Sequence, residues 1–307
     1  MVNVSYFFSF TDDPTIDAAS GSLPNVQRAA TMLFATAEFR KRVCSGQQPR
    51  EQIGKKKISI CSTAYKYMFN ACRIPHRGQD TYRIYDPSRY THCIVARKGF
   101  FFAMELVDPE SGDPLPVMVL EDQLRQCIRL ADGVSSTRSK LGLMTSQNRD
   151  NWADAREALL QAGGLAMEEA LTVLESGAVL LNLDDEAPVS RQECGDLFWT
   201  GGLTSGGNRW FDKSIQIMVA NNGKAGAIME HSMMDGMPII VFADYITKIT
   251  YAEAKRRSLN RVVRTNVGVT DIFGNVLNSI DPSIPRALET KGECLSLLLS
   301  YASASRR

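Results

Sequence analysis

"SIQIMVANNGKAGAIME", residues 214–230, is the stretch on which the fold turns. Ile215, Ile217 and Val219 alternate toward one face, as a strand requires. Asn221-Asn222-Gly223 is a strong hairpin turn, because glycine supplies the positive φ that tight turns need. "KAGAIME" then returns as a second strand. The next residues, "HSMMDGMP" (231–238), leave the sheet. His231 therefore stands just off a strand end. Gly236 permits a sharp turn, and Pro238 is placed to open a helix over "PIIVFADYITKI". A titratable side chain on a tight turn at the mouth of a sheet is well placed for chemistry.

Working outward, "LPNVQRAATMLFATAEFRKRVCSG" (23–46) puts Val26, Ala30, Leu33 and Phe34 on one helical face, with a basic end and Gly46 as stop signals. "THCIVARKGFFFAMELVD" (91–108) reads as two strands joined at Lys98-Gly99. "LEDQLRQCIRLAD" (120–132) reads as a helix and "SKLGLMTS" (139–146) as a short strand. "RDNWADAREALLQAGG" (149–164) aligns Trp152, Ala155 and Leu159 on one helical face. "GGLAMEEALTVLESG" (163–177) is another helix, and "AVLLNLDD" (178–185) another strand. Strands and helices mix along the chain, which predicts an α/β or α+β fold. After Arg257 the pattern weakens. An extended excursion over 264–289 leads to a last helix, and "SYASASRR" (300–307) reads as unstructured.

The 307 residues are enough for one large domain or two modest ones. A formal net charge of +1 gives no global field for nucleic acid or an anionic membrane. Seven cysteines, at 44, 61, 72, 93, 127, 194 and 294, make no Cys-x-x-Cys pair, and the odd number points to a reduced, intracellular setting. No apolar run approaches the roughly 20 residues of a membrane helix. "MVNVSYFFSF" lacks the basic start of a signal peptide, and the Asn3-Val4-Ser5 sequon reads as chance.

Histidine has an ordinary pKa near 6.5, close enough to neutrality to take a proton and return it. Asp235, four residues after His231, could orient it or hold a neighbouring cation. Taken alone, an H-x-x-x-D pair is more often a satisfied histidine and a solvated aspartate. "GGLTSGGNRWFDK" (201–213) has P-loop spacing between Gly202 and Gly207, but Asn208-Arg209 stands where Lys-Ser/Thr is required. A flexible loop leading into a strand is the reading left. His76 and His92 are isolated, so no metal site is expected. No G-x-S-x-G elbow supports a hydrolase triad, and Lys55-Lys56-Lys57 reads as a solvated face.

"GGNRWFDKSIQIMVANNGKAGAIMEHSMMDGMP" (206–238) resembles the signature segment of the carnitine/choline O-acyltransferase family. "YKYMFNACRIPHRGQDTYRIYD" (65–86), "GLMTSQNRDNWADAREAL" (142–159) and "VLLNLDD" (179–185) fit it in the same order. The resemblance runs from about Tyr6 to about Ile246, and the texture is most similar to the carnitine O-acetyltransferases of fungi. Condensation domains of peptide synthetases share the fold but use H-H-x-x-x-D-G; Glu230 stands where their first histidine would be.

The resemblance implies α/β, with a mixed sheet flanked by helices. That is one half of the CoA-dependent acyltransferase fold, the chloramphenicol acetyltransferase-like architecture of two similar α/β halves with a histidine in a tunnel between them. It implies acyl transfer, with short chains, between acyl-CoA and carnitine, directly and without an acyl-enzyme. His231 takes the place of the general base, and Asp235 that of the acidic residue that pairs with an orienting arginine. Arg149, Trp152, Asn208, Arg209, Trp210, Asp212 and Lys213 fall on matched runs and are expected to be scaffold. The family's other half supplies the Ser-Thr-Ser motif of the oxyanion site, the arginine for the carnitine carboxylate and the lysines for CoA. The Trp/Tyr segment before the first matched helix is absent, and "SST" (135–137) is out of order as a replacement. The expectation is a truncated chain: residues 1–255 as the histidine-bearing half, and 256–307 as an extended segment and terminal helix leading toward the other. Acyl-CoA and carnitine are expected as substrates, with no tightly bound cofactor, metal or nucleic acid. The alternative is a non-catalytic fragment or paralogue. A bare interface predicts self-association and leaves His231 on an open surface. Family members are mitochondrial, peroxisomal or cytosolic.

Overall fold

The computed structural model describes residues 5–16, 23–134, 141–202, 204–259, 267–274 and 276. The expected last helix, the tail over 300–307 and the "SST" run lie outside them. In chain order the elements are β1 (Tyr6–Ser9), α1 (Pro24–Cys44), β2 (Gln52–Ile53), β3 (Ile58–Ser59), β4 (Ala71–Ile74), β5 (Thr81–Ile84), β6 (His92–Arg97) and β7 (Phe100–Glu105). There follow α2 (Val117–Asp132), α3 (Leu141–Met144), α4 (Arg149–Ser176), β8 (Leu180–Asp184), α5 (Arg191–Thr200), β9 (Ile215–Ala220), β10 (Ala225–Met229), α6 (Gly236–Thr247), α7 (Tyr251–Ser258) and β11 (Val269–Asp271).

Seven strands form a mixed sheet in the order β1-β10-β9-β8-β6-β7-β11. β8 runs parallel to β6 and β9, and the other pairs are antiparallel. The 214–230 stretch is the hairpin its turn demands. Val219 faces Ala225, Ile215 faces Met229, and Gly223 takes φ 82°. β9 and β10 are buried on both faces, because helices cover both sides of the sheet. On one side Ile217, Val219, Leu181 and Phe102 pack with Leu33 and Phe34 of α1, Leu120 of α2 and Phe242 of α6. On the other, Leu180 and Phe101 meet Trp152 and Leu159 of α4, and Met218 and Ile228 meet Phe198 of α5.

Two expectations change. Residues 141–144 of "SKLGLMTS" form one helical turn in place of a strand. Gly142 lies so close to the 206–209 segment that a Cβ on it would fall 2.2 Å from the Arg209 carbonyl oxygen. Packing against that segment decides the conformation. The two helices expected over 149–177 run together as α4, broken only at Gly164 (φ 53°, ψ −141°). β1, which the sequence did not announce as a strand, closes one edge against β10. β11 lies within the expected excursion and closes the other.

Candidate functional site

His231 leaves the sheet where β10 ends, beside the start of β9, with Glu230 N donating to Ser214 O at 3.1 Å. The β4–β5 hairpin reaches the same end through the bridge between Cys72 and Lys213. The imidazole of His231 is exposed. Tyr6 of β1 meets it edge to face, ring centroids 5.1 Å apart at 79°. The Tyr6 hydroxyl is buried without a hydrogen-bond partner among the described residues. Burial, and then Asp235, push its pKa up to about 12, so it is a neutral phenol across the physiological range.

Asp235 is exposed and caps α6, accepting from Gly236 N at 2.7 Å. Among the described residues no arginine pairs with it and no hydrogen bond joins it to His231. Helix α6 starts at Gly236, two residues before Pro238. From Tyr6 an open groove of about 510 Å³ runs between β1 and α6, walled by Phe8, Phe10, Ile239, Ile240 and Ala243.

Sequence reading passed over the residue before the histidine. Glu230 is 2% exposed. Its Oε1 accepts from Arg73 Nη1 at 3.0 Å and Ser232 N at 3.1 Å. Its Oε2 accepts from Ser232 Oγ at 2.6 Å and from the Tyr82 hydroxyl. Burial, followed by Glu230, raises the Tyr82 pKa, which keeps that hydroxyl a donor. The only signal in the sequence was a carboxylate inside an apolar strand, a placement that demands a partner.

Of the seven matched residues expected to be scaffold, all but Arg149 are buried. Asp212, 1% exposed, receives Arg73 Nε at 3.1 Å, Arg149 Nη1 at 2.8 Å and Trp152 Nε1 at 2.7 Å. Burial raises its pKa, and Arg149 and Arg73 oppose that. Arg149 Nε also holds Asp80 at 2.7 Å. Arg209 and Asp184, both 0% exposed, form a bidentate pair at 2.7 and 3.1 Å, and Asn208 Nδ2 adds a bond to Asp184 at 3.0 Å. Trp210 stacks edge to face on Trp152. Lys213 Nζ donates to Glu175 O at 2.8 Å and Gly177 O at 2.6 Å, ending α4, and burial lowers its pKa to about 8. Gly206 to Lys213, which the glycines alone would let pass for a flexible loop, is buried throughout. The ion pairs and indoles require that interior position.

The other histidines lie apart from this site. His92 Nε2 is 2.8 Å from Val173 O, and His76 is exposed beside Thr81. Among the described residues no group of three or more His, Cys, Asp or Glu could hold a metal ion, and no helix is long and apolar enough to cross a membrane.

Three relatives set this geometry in context. A segment of a highly reducing polyketide synthase of Aspergillus luteorubrus is 33% identical over 217 residues, 69% of this chain and 6% of that protein. Human carnitine O-acetyltransferase is 26% identical over 280 residues, 88% of this chain and 42% of that protein. The mitochondrial carnitine O-acetyltransferase of Saccharomyces cerevisiae is 28% identical over 248 residues, 79% of this chain and 36% of that protein. The chain thus spans less than half the length of these relatives. The family model of the choline/carnitine O-acyltransferases matches residues 1–288. With the histidine turn at the sheet end and the buried ion pairs behind it, the chain belongs to the choline/carnitine O-acyltransferase family.

Proposed function

We propose that this chain is the histidine-bearing half of a carnitine O-acyltransferase, which moves an acetyl or other short acyl group between acyl-CoA and carnitine. His231 is the general base and Asp235 the residue that orients it. The observation that carries the reading is an exposed imidazole on a turn fixed by a buried carboxylate, in a chain matched by the family model over 1–288. His231 takes the proton of the carnitine hydroxyl as its oxygen attacks the thioester carbonyl. The tetrahedral centre expels the CoA sulfur, and the imidazolium returns the proton to it. No group of the protein carries the acyl chain. A thiol, with an ordinary pKa near 8.5, loses its proton readily to imidazole in the reverse direction, whereas the alcohol must lose its proton as attack occurs.

Residues 1–255 form this half, and 256–307 lead toward the second. The second half supplies the oxyanion, carnitine and CoA groups, and the arginine for Asp235. The enzyme is intracellular and uses acyl-CoA as co-substrate. A mitochondrial site is in keeping with the name of the yeast relative. That no arginine among the described residues pairs with Asp235 favours a second reading for the chain by itself, a fold without activity. The likeness to a polyketide synthase segment favours a version in which the acyl group is a polyketide one.

Assembly separates these readings. The chain alone, given acetyl-CoA and carnitine, should release no thiol above background. Co-expressed with the C-terminal half of the yeast relative, it should turn over. A folded complex without turnover on acetyl, longer acyl or polyketide thioesters would establish the inactive reading.

A further inference from the structure

We propose that Glu230 is the positioning residue of this site, its buried carboxylate aiming His231 by clasping the turn on both sides of the histidine. A carboxylate offers about four acceptor positions, and the donors on Glu230 fill them. Two come from the β4–β5 hairpin, Arg73 Nη1 and the Tyr82 hydroxyl. Two come from Ser232, its backbone N and its Oγ. Glu230 therefore closes a ring around the backbone of His231 and fixes the direction in which its Cα–Cβ bond leaves the turn.

The clasp is anchored. Arg73 is bound to Asp212, which Arg149 and Trp152 also hold. On the far side Tyr6 bounds the imidazole at 5.1 Å. An exposed histidine on a turn would otherwise sample several rotamers, and a reacting group must be held near attack geometry.

The anchor is ionic as well: the carboxylates of Asp80, Asp212 and Glu230 face the guanidinium groups of Arg73 and Arg149. The consequence for rate rests on the proposed function; the aiming does not.

The test uses the whole chain with labelled histidine in solution NMR. There are only three histidines, and His231→Gln assigns the signal. In the wild-type chain the His231 ring protons should carry the shift imposed by the Tyr6 ring. Glu230→Gln keeps the shape but puts an amide nitrogen, which cannot accept, where one carboxylate oxygen takes two donors. It should return the His231 signals to those of a free histidine while His92, on β6 and separated from β10 by β9 and β8, keeps its own. Unmoved His231 signals in a folded Glu230→Gln chain would overturn the proposal. If that variant does not fold, Tyr82→Phe, which removes a single donor, must move the His231 signals part of the way, and no movement overturns it equally. In the complex assembled with a second half, Glu230→Gln should lower kcat by about tenfold or more with both KM values unchanged, as for a misaimed group. A silent wild-type complex would sink the functional reading and leave the NMR result to decide the positioning.

Discussion

Arg209 and Asp184 are both fully buried and bind each other through two guanidinium nitrogens and both carboxylate oxygens. Removing one partner of such a pair leaves a charge buried without compensation, at a cost of about 3–5 kcal/mol. Arg209→Ala should therefore lose that much in urea denaturation, and a loss under about 1 kcal/mol would contradict the scaffold role. His92 gives a pH dependence. Burial lowers its pKa below the ordinary 6.5. The unfolded chain therefore takes the proton first as pH falls. The stability His92 contributes is fully present above about pH 6.5 and is lost as pH falls below that toward the lower folded value. His92→Asn should flatten the acid side of the stability curve, read as urea midpoints between pH 7 and 5. At this scale the sequence was only half informative. His231 and Asp235 stood out by type and spacing. Glu230 did not, because its partners Arg73 and Tyr82 lie 157 and 148 residues away, and no local pattern encodes such a meeting.

Among the elements, the hairpin β9–β10 was legible because its turn and alternation agree. Helices α1 and α4 were legible through their apolar faces. The single turn α3 was not. "LGLM" is apolar and short enough for either state, and its helical form comes from docking on 206–209. That docking is testable. A Cβ at Gly142 would fall 2.2 Å from Arg209 O and 2.6 Å from Gly207 O, both backbone atoms that cannot move aside cheaply. Gly142→Ala should cost about 1–3 kcal/mol, the range for overpacking, where an alanine in a free helical turn would be neutral or stabilising. Thermal unfolding distinguishes the two signs. β1 escaped the sequence reading because "YFFS" is three aromatic residues and a serine, without alternation or a turn to frame it. Its place follows from pairing with a β10 that already exists.

At the scale of the whole molecule, the seven-stranded sheet is covered by helices on both faces, with β1 as one edge strand. Met233, Met237 and Ile240 are 39%, 38% and 60% exposed near that edge, beside the apolar groove between β1 and α6. Contiguous apolar surface of this kind usually binds something. The isolated chain is expected to self-associate through it. Ile240→Lys should shift sedimentation profiles toward monomer, and unchanged profiles would place the contact elsewhere. The mixed sheet with flanking helices was readable from the order of motifs. What closes over His231 was not: on the proposed function a second half completes that surface. The most direct measurement of the central claim is the rate of thiol release in the assembled two-half complex, with and without the base. General-base catalysis contributes about 10²- to 10⁴-fold. His231→Ala should lower kcat by that factor with the complex intact, and Asp235→Asn should lower it by less. A His231→Ala complex that turns over at the wild-type rate would contradict the account.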